Sequence, residues 1–450
     1  MGGGLLQLVA YGAQDAYITG NPHITFWKVL YKRHTNFAVE AFRVNFTGSP
    51  MYGQRIVAIV NRNADLVWKT YVEVTLPNTN DIANLNAWTG GAQRRLGYLL
   101  LKQIEVEIGG QIIDRHYGEW LYLWETLTAD FDTAMKLDNM VGGRYSGGDS
   151  GGASCTGRPE VLYIPLQFWF NRNPGLALPL IALQYHEVRF NITLEDAVNL
   201  VTGAGAAGSQ VSAAAAALPA LTDMALYLDY VYLDVDERRR FAQESHEYLI
   251  DQLQYTGQQT ITTASGRLDL TLNHPVKELI WVFQDARKTD CSIPTSTGNY
   301  TAQAYTQPFS YDDIVNRARL QINGQDRFDE RYGDYFWKVQ PYQHHTGGGF
   351  ARSLAPSGGG QVTATASPNP INVYSFAIQP EEHQPSGTCN FSRIDTATLV
   401  YDSVKPNVAG ANNDNGTYPS KTYPYNFRMY AVNYNIFRIM SGMGGLAYSN

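Results

Sequence analysis

Apolar and polar residues alternate through much of this chain. Residues 102–108 and 317–322 change character at nearly every step, the period of a half-buried strand. Residues 66–76 (halted by Pro77), 183–192, 267–272 and 276–283 predict further strands, rich in β-branched and aromatic side chains and bounded by turn residues. Two aromatic-rich stretches, 120–124 and 335–337, carry roughly helical spacing instead. Residues 235–253 read as a junction, in which Asp236 caps a short helix with Phe241 and Tyr248/Leu249 on one side. Many short strands and few long helices predict an all-β chain of sandwich or jelly-roll type.

The pattern occurs twice. Ile108-Gly109-Gly110-Gln111 is followed by Asp114, Tyr117, Gly118, Glu119 and Trp120. Ile322-Asn323-Gly324-Gln325 is followed by Asp329, Tyr332, Gly333, Asp334 and Tyr335. Ile108 and Ile322 lie 214 positions apart, and Gly118 and Gly333 lie 215 apart, so one residue has been inserted. A second echo closes each half: residues 225–233 resemble residues 429–436. Two matches in the same order imply a duplicated domain, hence two tandem jelly-roll β-sandwiches with short helices in the connections. Four stretches of polar or small residues, 141–158, 202–220, 345–361 and 405–421, hold too little bulky apolar material for a core and predict surface loops.

Composition narrows the function classes. Of 450 residues, 44% are hydrophobic and only 17% charged, and 30 are tyrosine. Charge-poor, aromatic-rich surfaces suit subunit interfaces, and tyrosine also favours strands. A net charge of -7, with no long basic run, argues against a protein that wraps nucleic acid, so no direct nucleic-acid partner is expected. Cys155, Cys291 and Cys389 are far apart and odd in number, which predicts neither a disulfide framework nor a zinc site. The start of the chain has no signal-peptide pattern, Leu6 breaks the myristoylation pattern, and no apolar run approaches the roughly 18 residues of a membrane span.

Several strings imitate chemistry. Gly148-Asp149-Ser150-Gly151-Gly152 matches the setting of a serine nucleophile, yet His23, His34 and His116 lack the context of a partnering base, and the string lies in a glycine-rich stretch. Gly203, Gly205 and Gly208 fit a dinucleotide fingerprint without the strand–turn–helix rhythm it needs. His186-Glu187 and His246-Glu247 begin like a zinc-protease motif, but Phe190 and Ile250 stand where the second histidine belongs. Adjacent His344 and His345 cannot alone make a tetrahedral site, and surface or loop positions are expected for these histidines. No catalytic, cofactor or metal residue is therefore assigned. Asn-x-Ser/Thr sequons occur at Asn45, Asn191, Asn299, Asn390 and Asn415. Only Asn299 and Asn415 fall in loop-like sequence and stand as candidate glycan acceptors.

The chain resembles the major capsid proteins of nucleocytoplasmic large DNA viruses. The resemblance runs in order through Gly3-Gly-Leu-Leu-Gln-Leu-Val-Ala-Tyr-Gly-Ala-Gln-Asp-Ala-Tyr17, Thr19-Gly-Asn-Pro22, Tyr31-Lys-Arg-His-Thr-Asn-Phe37 and Ile108-Gly-Gly-Gln111. It continues through Ile164-Pro-Leu-Gln-Phe-Trp-Phe-Asn-Arg-Asn-Pro-Gly-Leu-Ala-Leu-Pro-Leu180, Leu183-Gln-Tyr-His-Glu-Val188 and Asn390-Phe-Ser-Arg-Ile-Asp395, and it closes with residues 430–450. The four loops carry none of it. The resemblance implies two consecutive jelly rolls, three chains per pseudo-hexagonal capsomer, and a structural role in an icosahedral shell. It implies no cofactor. It implies partnership with neighbouring capsomers, with minor capsid and penton proteins, and proximity to an internal viral membrane, in a virion assembled in the host cytoplasm or a viral factory. The expected division is an N-terminal arm over 1–26 that orders on assembly, a first jelly roll over 27–235, a linker helix over 236–250 and a second jelly roll over 251–450. Competing readings are a same-fold viral scaffold protein and a glycan-binding or glycan-hydrolysing tandem sandwich. The last needs paired carboxylates in a cleft, and no such pair is evident.

Overall fold

A computed structural model describes residues 3–27, 31–77, 85–86, 95–142, 161–200, 202–203, 218–263, 265–286, 309, 311–347, 351–357, 361–367, 369–404 and 425–448. Two compact units make up the chain, Met1–Phe37 and Ala38–Asn450. The first carries two short helices, α1 (Gly3–Val9) and α2 (Ala16–Thr19), in which no residue is buried.

Eight principal strands, beside the two-residue strands Leu85–Asn86, Leu178–Pro179 and Thr202–Gly203, open the large unit: β1 (Phe37–Asn45), β2 (Arg55–Ile59), β3 (Leu66–Thr75), β4 (Leu101–Ile108), β5 (Gln111–Tyr117), β6 (Val161–Pro165), β7 (Val188–Leu194) and β8 (Asp223–Leu233). They form one sheet in the order β1-β8-β3-β6 and a second in the order β2-β7-β4-β5. Eight more follow: β9 (His246–Ile261), β10 (Gly266–Asp269), β11 (Pro275–Asp285), β12 (Val315–Ile322), β13 (Gln325–Asp326), β14 (Asn372–Ser375), β15 (Ala397–Val404) and β16 (Tyr425–Met440). Their orders are β9-β16-β11-β14 and β10-β15-β12-β13. Adding eight to each label of the first half reproduces the second. This is the jelly-roll topology twice over, and it explains the repeated pattern in the sequence.

Alternation sets the faces. On β3, Val72 and Val74 are buried and pair with Leu226 and Met224 of β8, while Tyr71 and Tyr227 pair on the opposite face. In the second half Leu279, Trp281 and Phe283 of β11 pair with Ala431, Met429 and Phe427 of β16, and all six belong to that sandwich's own core.

The duplicated motif has a local physical cause. Gly109 and Gly110 have φ values of 59° and 85°, and Asn323 and Gly324 have 49° and 78°. Each pair closes a two-residue hairpin, β4–β5 and β12–β13, with two left-handed residues, which glycine and asparagine tolerate best. The later glycine of each motif sits against backbone. A Cβ on Gly118 would collide with the carbonyl oxygens of Tyr98 and Leu101, and one on Gly333 with that of Val315. Leu101 and Val315 are the first residues of β4 and β12, so both glycines solve the same crowding problem.

Three expectations need correction. The junction helix, α4 below in chain order, is Val235–Gln243, and its cap is Asp234, whose carboxylate accepts from the Val235 N–H; Asp236 lies inside the first turn. Tyr248 and Leu249 lie in β9, because β9 begins at His246 and pairs with β16 along its length. Residues 183–187 are irregular, and the strand begins at Val188. The third concerns 345–361. Ala351–Ser357 pairs with Gln361–Ser367 as a separate hairpin, where Thr and Val residues let a polar segment satisfy its backbone by pairing with itself. Of the preceding helices, α3 (Gly118–Thr128) follows β5 directly.

Candidate functional site

Two surfaces of this chain correspond to each other. The first lies inside the chain, where the halves meet. The outer face of the β9-β16-β11-β14 sheet is buried: Ile280, Val282, Val373, Tyr430 and Val432 join the core of the first half rather than their own. Helix α3 covers it. Trp120 lies 5.8 Å from the Tyr430 ring, and Tyr117 lies 4.9 Å from Tyr255 and 6.3 Å from Tyr430. Glu119 accepts from Arg428 Nε (2.7 Å), Arg428 Nη2 (2.6 Å), Tyr430 Oη (2.6 Å) and Tyr311 Oη (3.1 Å). Burial works against the Arg428 charge, but Glu119 outweighs it and raises the guanidinium above its usual range. A buried pair so completely hydrogen-bonded fixes one arrangement of the halves, since losing either partner strands the other.

More polar ties flank this contact. Leu253 N donates to Asp114 Oδ1 at 3.1 Å. Fully buried Lys277 lies 3.0 Å from Asp251, and Arg172 of the first half reaches the same oxygen at 3.7 Å. Asn369 donates to the Tyr122 hydroxyl at 2.9 Å, and Tyr122 stacks on Phe309 at 4.6 Å. Gly347 donates to the Leu127 carbonyl at 2.6 Å, so close that a Cβ there would meet the Thr126 and Leu127 carbonyls. Two residues earlier, His345 is buried between two carboxylates. Its Nδ1 lies 3.1 Å from Glu381, and its Nε2 makes a 3.2 Å ion-pair contact with Glu278. Burial lowers its pKa, yet the two carboxylates prevail and push it up to about 9. Helix α3 also holds Glu125, whose carboxyl burial pushes up to about 7 against the opposing pull of Arg95 at 3.2 Å.

The second surface is the outer face of the β1-β8-β3-β6 sheet. Tyr71 stacks on Tyr227 at 5.1 Å, with planes 2° apart, and meets the edge of Tyr163 at 6.1 Å. The three rings span strands β8, β3 and β6. Tyr163 and Val161 are more than a third exposed, and Lys69 is exposed beside them. The counterparts of this face in the second half are the buried residues under α3.

The strings that imitate chemistry separate under the fold. Gly148–Gly152 and the Gly205 and Gly208 positions lie outside the described residues, as do Asn299 and Asn415. Asn191 is buried and donates to Glu107 at 2.8 Å, so that sequon is silent. His186 bonds to the Gly444 carbonyl, and His246 stacks on Phe241 at 5.2 Å. His345 departs from the expected surface position because Glu278 and Glu381 satisfy it inside the fold. Among the described residues no cluster of His, Cys, Asp and Glu fits a metal ion, and no helix is long and apolar enough to cross a membrane. Sequence reasoning did not find Arg428, Tyr311 or His345 as seam residues. Glu119 lay within the repeated motif, but its partner is 309 positions away.

Two jelly rolls of one topology, fused across a buried seam, define a double jelly-roll building block of the kind found in viral shells. Residues 25–234 match the family model for the major capsid protein N-terminus, and residues 237–445 match that for the large eukaryotic DNA virus major capsid protein. The chain is 45% identical over 458 residues to the major capsid protein of Pyramimonas orientalis virus, and 40% identical over 477 residues to that of Paramecium bursaria Chlorella virus 1, with full coverage of both partners in each case. A chain of the PBCV-1 virus capsid superposes with a TM-score of 0.72 at 37% identity, covering 95% of this chain and all of that one. The Faustovirus major capsid protein shares the fold, with a TM-score of 0.67 at 12% identity over 96% and 94% of the two chains. The chain belongs to the major capsid protein family of large eukaryotic DNA viruses. Its role is structural, in the virion capsid, and not enzymatic. That role entails association with further copies of itself.

Proposed function

We propose that three copies of this chain close into a pseudo-hexagonal capsomer that tiles an icosahedral shell. The carrying observation is the identical topology of the two sandwiches. Three chains place six equivalent sandwiches around one axis, and a closed cyclic trimer then presents six similar sides to its neighbours. The division into an arm over 1–26, sandwiches over 27–235 and 251–450 and a connector over 236–250 belongs to this reading, with the connector cut back to the helix Val235–Gln243 because β9 of the second sandwich begins at His246. It is supported by family matches that part between residues 234 and 237. The arm orders on assembly: Leu5, Leu6, Leu8, Val9, Tyr17 and Ile18 on its two helices are all more than half exposed in the single chain. Minor capsid and penton proteins, and a membrane beneath the shell, are the remaining partners of this reading. Asn299 and Asn415 are its candidate glycan acceptors.

The test is the mass of the purified protein in solution, with electron microscopy of the same sample. Roughly hexagonal particles of three chains are expected; a monomer at every concentration would overturn the reading. Removing residues 1–20 should leave trimers intact and impair shell formation, and unchanged shells would remove the arm from the account.

A further inference from the structure

The repeated motif is an interface plug used once within the chain and left over once. In the first half Tyr117, Glu119 and Trp120 insert over the outer face of the second half's sheet, against Tyr255, Arg428 and Tyr430. Their counterparts, 215 positions on, are Tyr332, Asp334 and Tyr335. The same glycine, Gly118 or Gly333, is wedged against the first carbonyl of β4 or β12, so both plugs hang from the same point of the same topology. Their surroundings differ. Tyr332 is 61% exposed, and the Asp334 side chain is 41% exposed beside Lys338 at 2.6 Å. Beyond them Val339 and Tyr342 are exposed too, Tyr342 at 85%.

We infer that the plug Tyr332-Gly333-Asp334-Tyr335 of one copy docks on the tyrosine face, Tyr71, Tyr163 and Tyr227, of the next copy, repeating between chains the contact that α3 makes within one. This rests on the capsomer reading above and assigns it a surface. The occupant follows from the duplication. The face covered by a plug in the second sandwich is the one left open in the first, and the plug buried in the first half is the one left open in the second. Tyr335 is half-buried against its own core, and Tyr332 and the Asp334 side chain remain exposed, so each chain carries one plug with an open tip and one open face, which is the requirement for a head-to-tail contact that closes into a ring. Glu119 meets a cation two residues from Tyr430, and exposed Lys69, two residues from Tyr71, offers Asp334 a cation in the corresponding place, with Glu73 and Asp229 on the same face limiting how far an acidic plug is favoured. Stacked tyrosines are the residue type on which interface affinity concentrates.

The experiment measures the mass distribution of the full-length protein against concentration for wild type, Tyr227→Asp, Tyr332→Ala, Lys69→Glu, and Lys69→Glu combined with Asp334→Lys. Circular dichroism and melting confirm that each variant is folded. Tyr227→Asp and Tyr332→Ala should raise the concentration of half-assembly at least about tenfold. Lys69→Glu should weaken assembly, and adding Asp334→Lys should restore it. Wild-type trimers with every variant assembling at the wild-type concentration would overturn the docking inference and leave the capsomer reading standing. A wild type that never assembles would overturn both.

Discussion

Tyr430 and Tyr227 stand in the last strand of their respective sandwiches, each next to the third strand. Tyr430 is buried under Trp120 and donates to Glu119; Tyr227 stacks on Tyr71 and looks outward. Topology does not distinguish the two sheets, so the difference lies in what covers them. The covered face carries Glu278, Gln284 and Arg428, ionic and amide groups that persist inside a protein only when paired: Arg428 meets Glu119 of the first half and Gln284 of its own sheet, and Glu278 lies against His345. The open face carries aromatic rings with Lys69, Glu73 and Asp229 beside them, none of these three buried, and such groups tolerate water until a partner arrives. A seam made with the rest of the chain at folding can depend on buried charge. A surface that must first exist alone in solution cannot.

The sharpest way to break this contrast is to remove the acid of each plug. Glu119→Ala leaves Arg428 buried without its carboxylate and two tyrosine hydroxyls without their acceptor, which should cost about 3–5 kcal/mol of stability. Asp334→Ala removes an exposed pair with Lys338 and should change the stability of dilute protein by less than about 1 kcal/mol. Denaturant titration of the two variants decides the matter, and equal losses would show that the second plug is already covered within a single chain.

Protonation offers a second contrast. His345 pairs within the second half with Glu278, on the covered face, and with Glu381, and its folded-state pKa of about 9 lies above the ordinary value of 6.5. A group raised on folding adds stability that is fully present below about pH 6.5 and is lost as pH rises through about 9. The stabilisation at stake is on the order of 3 kcal/mol. The stability gap between wild type and His345→Gln should thus be widest near pH 6 and shrink towards pH 10. A gap independent of pH would mean that His345 is not charged in the fold. The open face holds no counterpart to His345 on its described strands, so Tyr71→Phe should show no such dependence between pH 6 and 8.

A third pair tests whether the halves are alike where they should be. Gly118→Ala and Gly333→Ala both push a Cβ into a carbonyl at the start of the facing strand, and each should cost about 1–3 kcal/mol. A large loss at Gly118 with none at Gly333 would mean that the second plug is not held as the first is, and the equivalence behind the docking inference would weaken.

The strands at the repeated motif were legible because hairpin and wedge glycines are local demands, written into adjacent residues. The second echo was legible only as a strand. Matching residues 225–233 to 429–436 sets Ala225 against Met429, yet Ala225 shares the face of Tyr227 while Met429 points into its own core, so the match is out of phase with the pleat. The composition of a strand is conspicuous in sequence, and its register is not, because register is set by what it packs against. The seam was illegible for the same reason. Glu119 and Arg428 become partners only after the whole chain has folded, and His345 read as a surface residue because Glu278 and Glu381 are remote from it in sequence. The hairpin of Ala351–Ser357 with Gln361–Ser367 was hidden by polar composition, which signals a loop unless the segment pairs with itself.

The smallest expected effect concerns the second residue of each hairpin turn. Gly110 and Gly324 have φ values of 85° and 78°, and a Cβ on either would meet nothing within 4 Å. Alanine at either site is therefore penalised by backbone strain alone, about 1 kcal/mol. The two costs should agree within a few tenths of a kcal/mol, because a Cβ at either second turn position meets no neighbour. The first turn residues make the control. At Gly109 a Cβ would strike the His186 ring, whereas the Asn323 side chain accepts from the N–H groups of Asp395 and Thr396 at 3.0 and 3.1 Å. Asn323→Gly should accordingly lose about 1 kcal/mol through those two bonds, although glycine suits the turn itself. If Gly110→Ala and Gly324→Ala differed by more than Gly118→Ala and Gly333→Ala do, the asymmetry between the halves would reach into the local geometry of the sandwiches, and the difference between a covered and an open sheet could no longer be assigned to the plug alone.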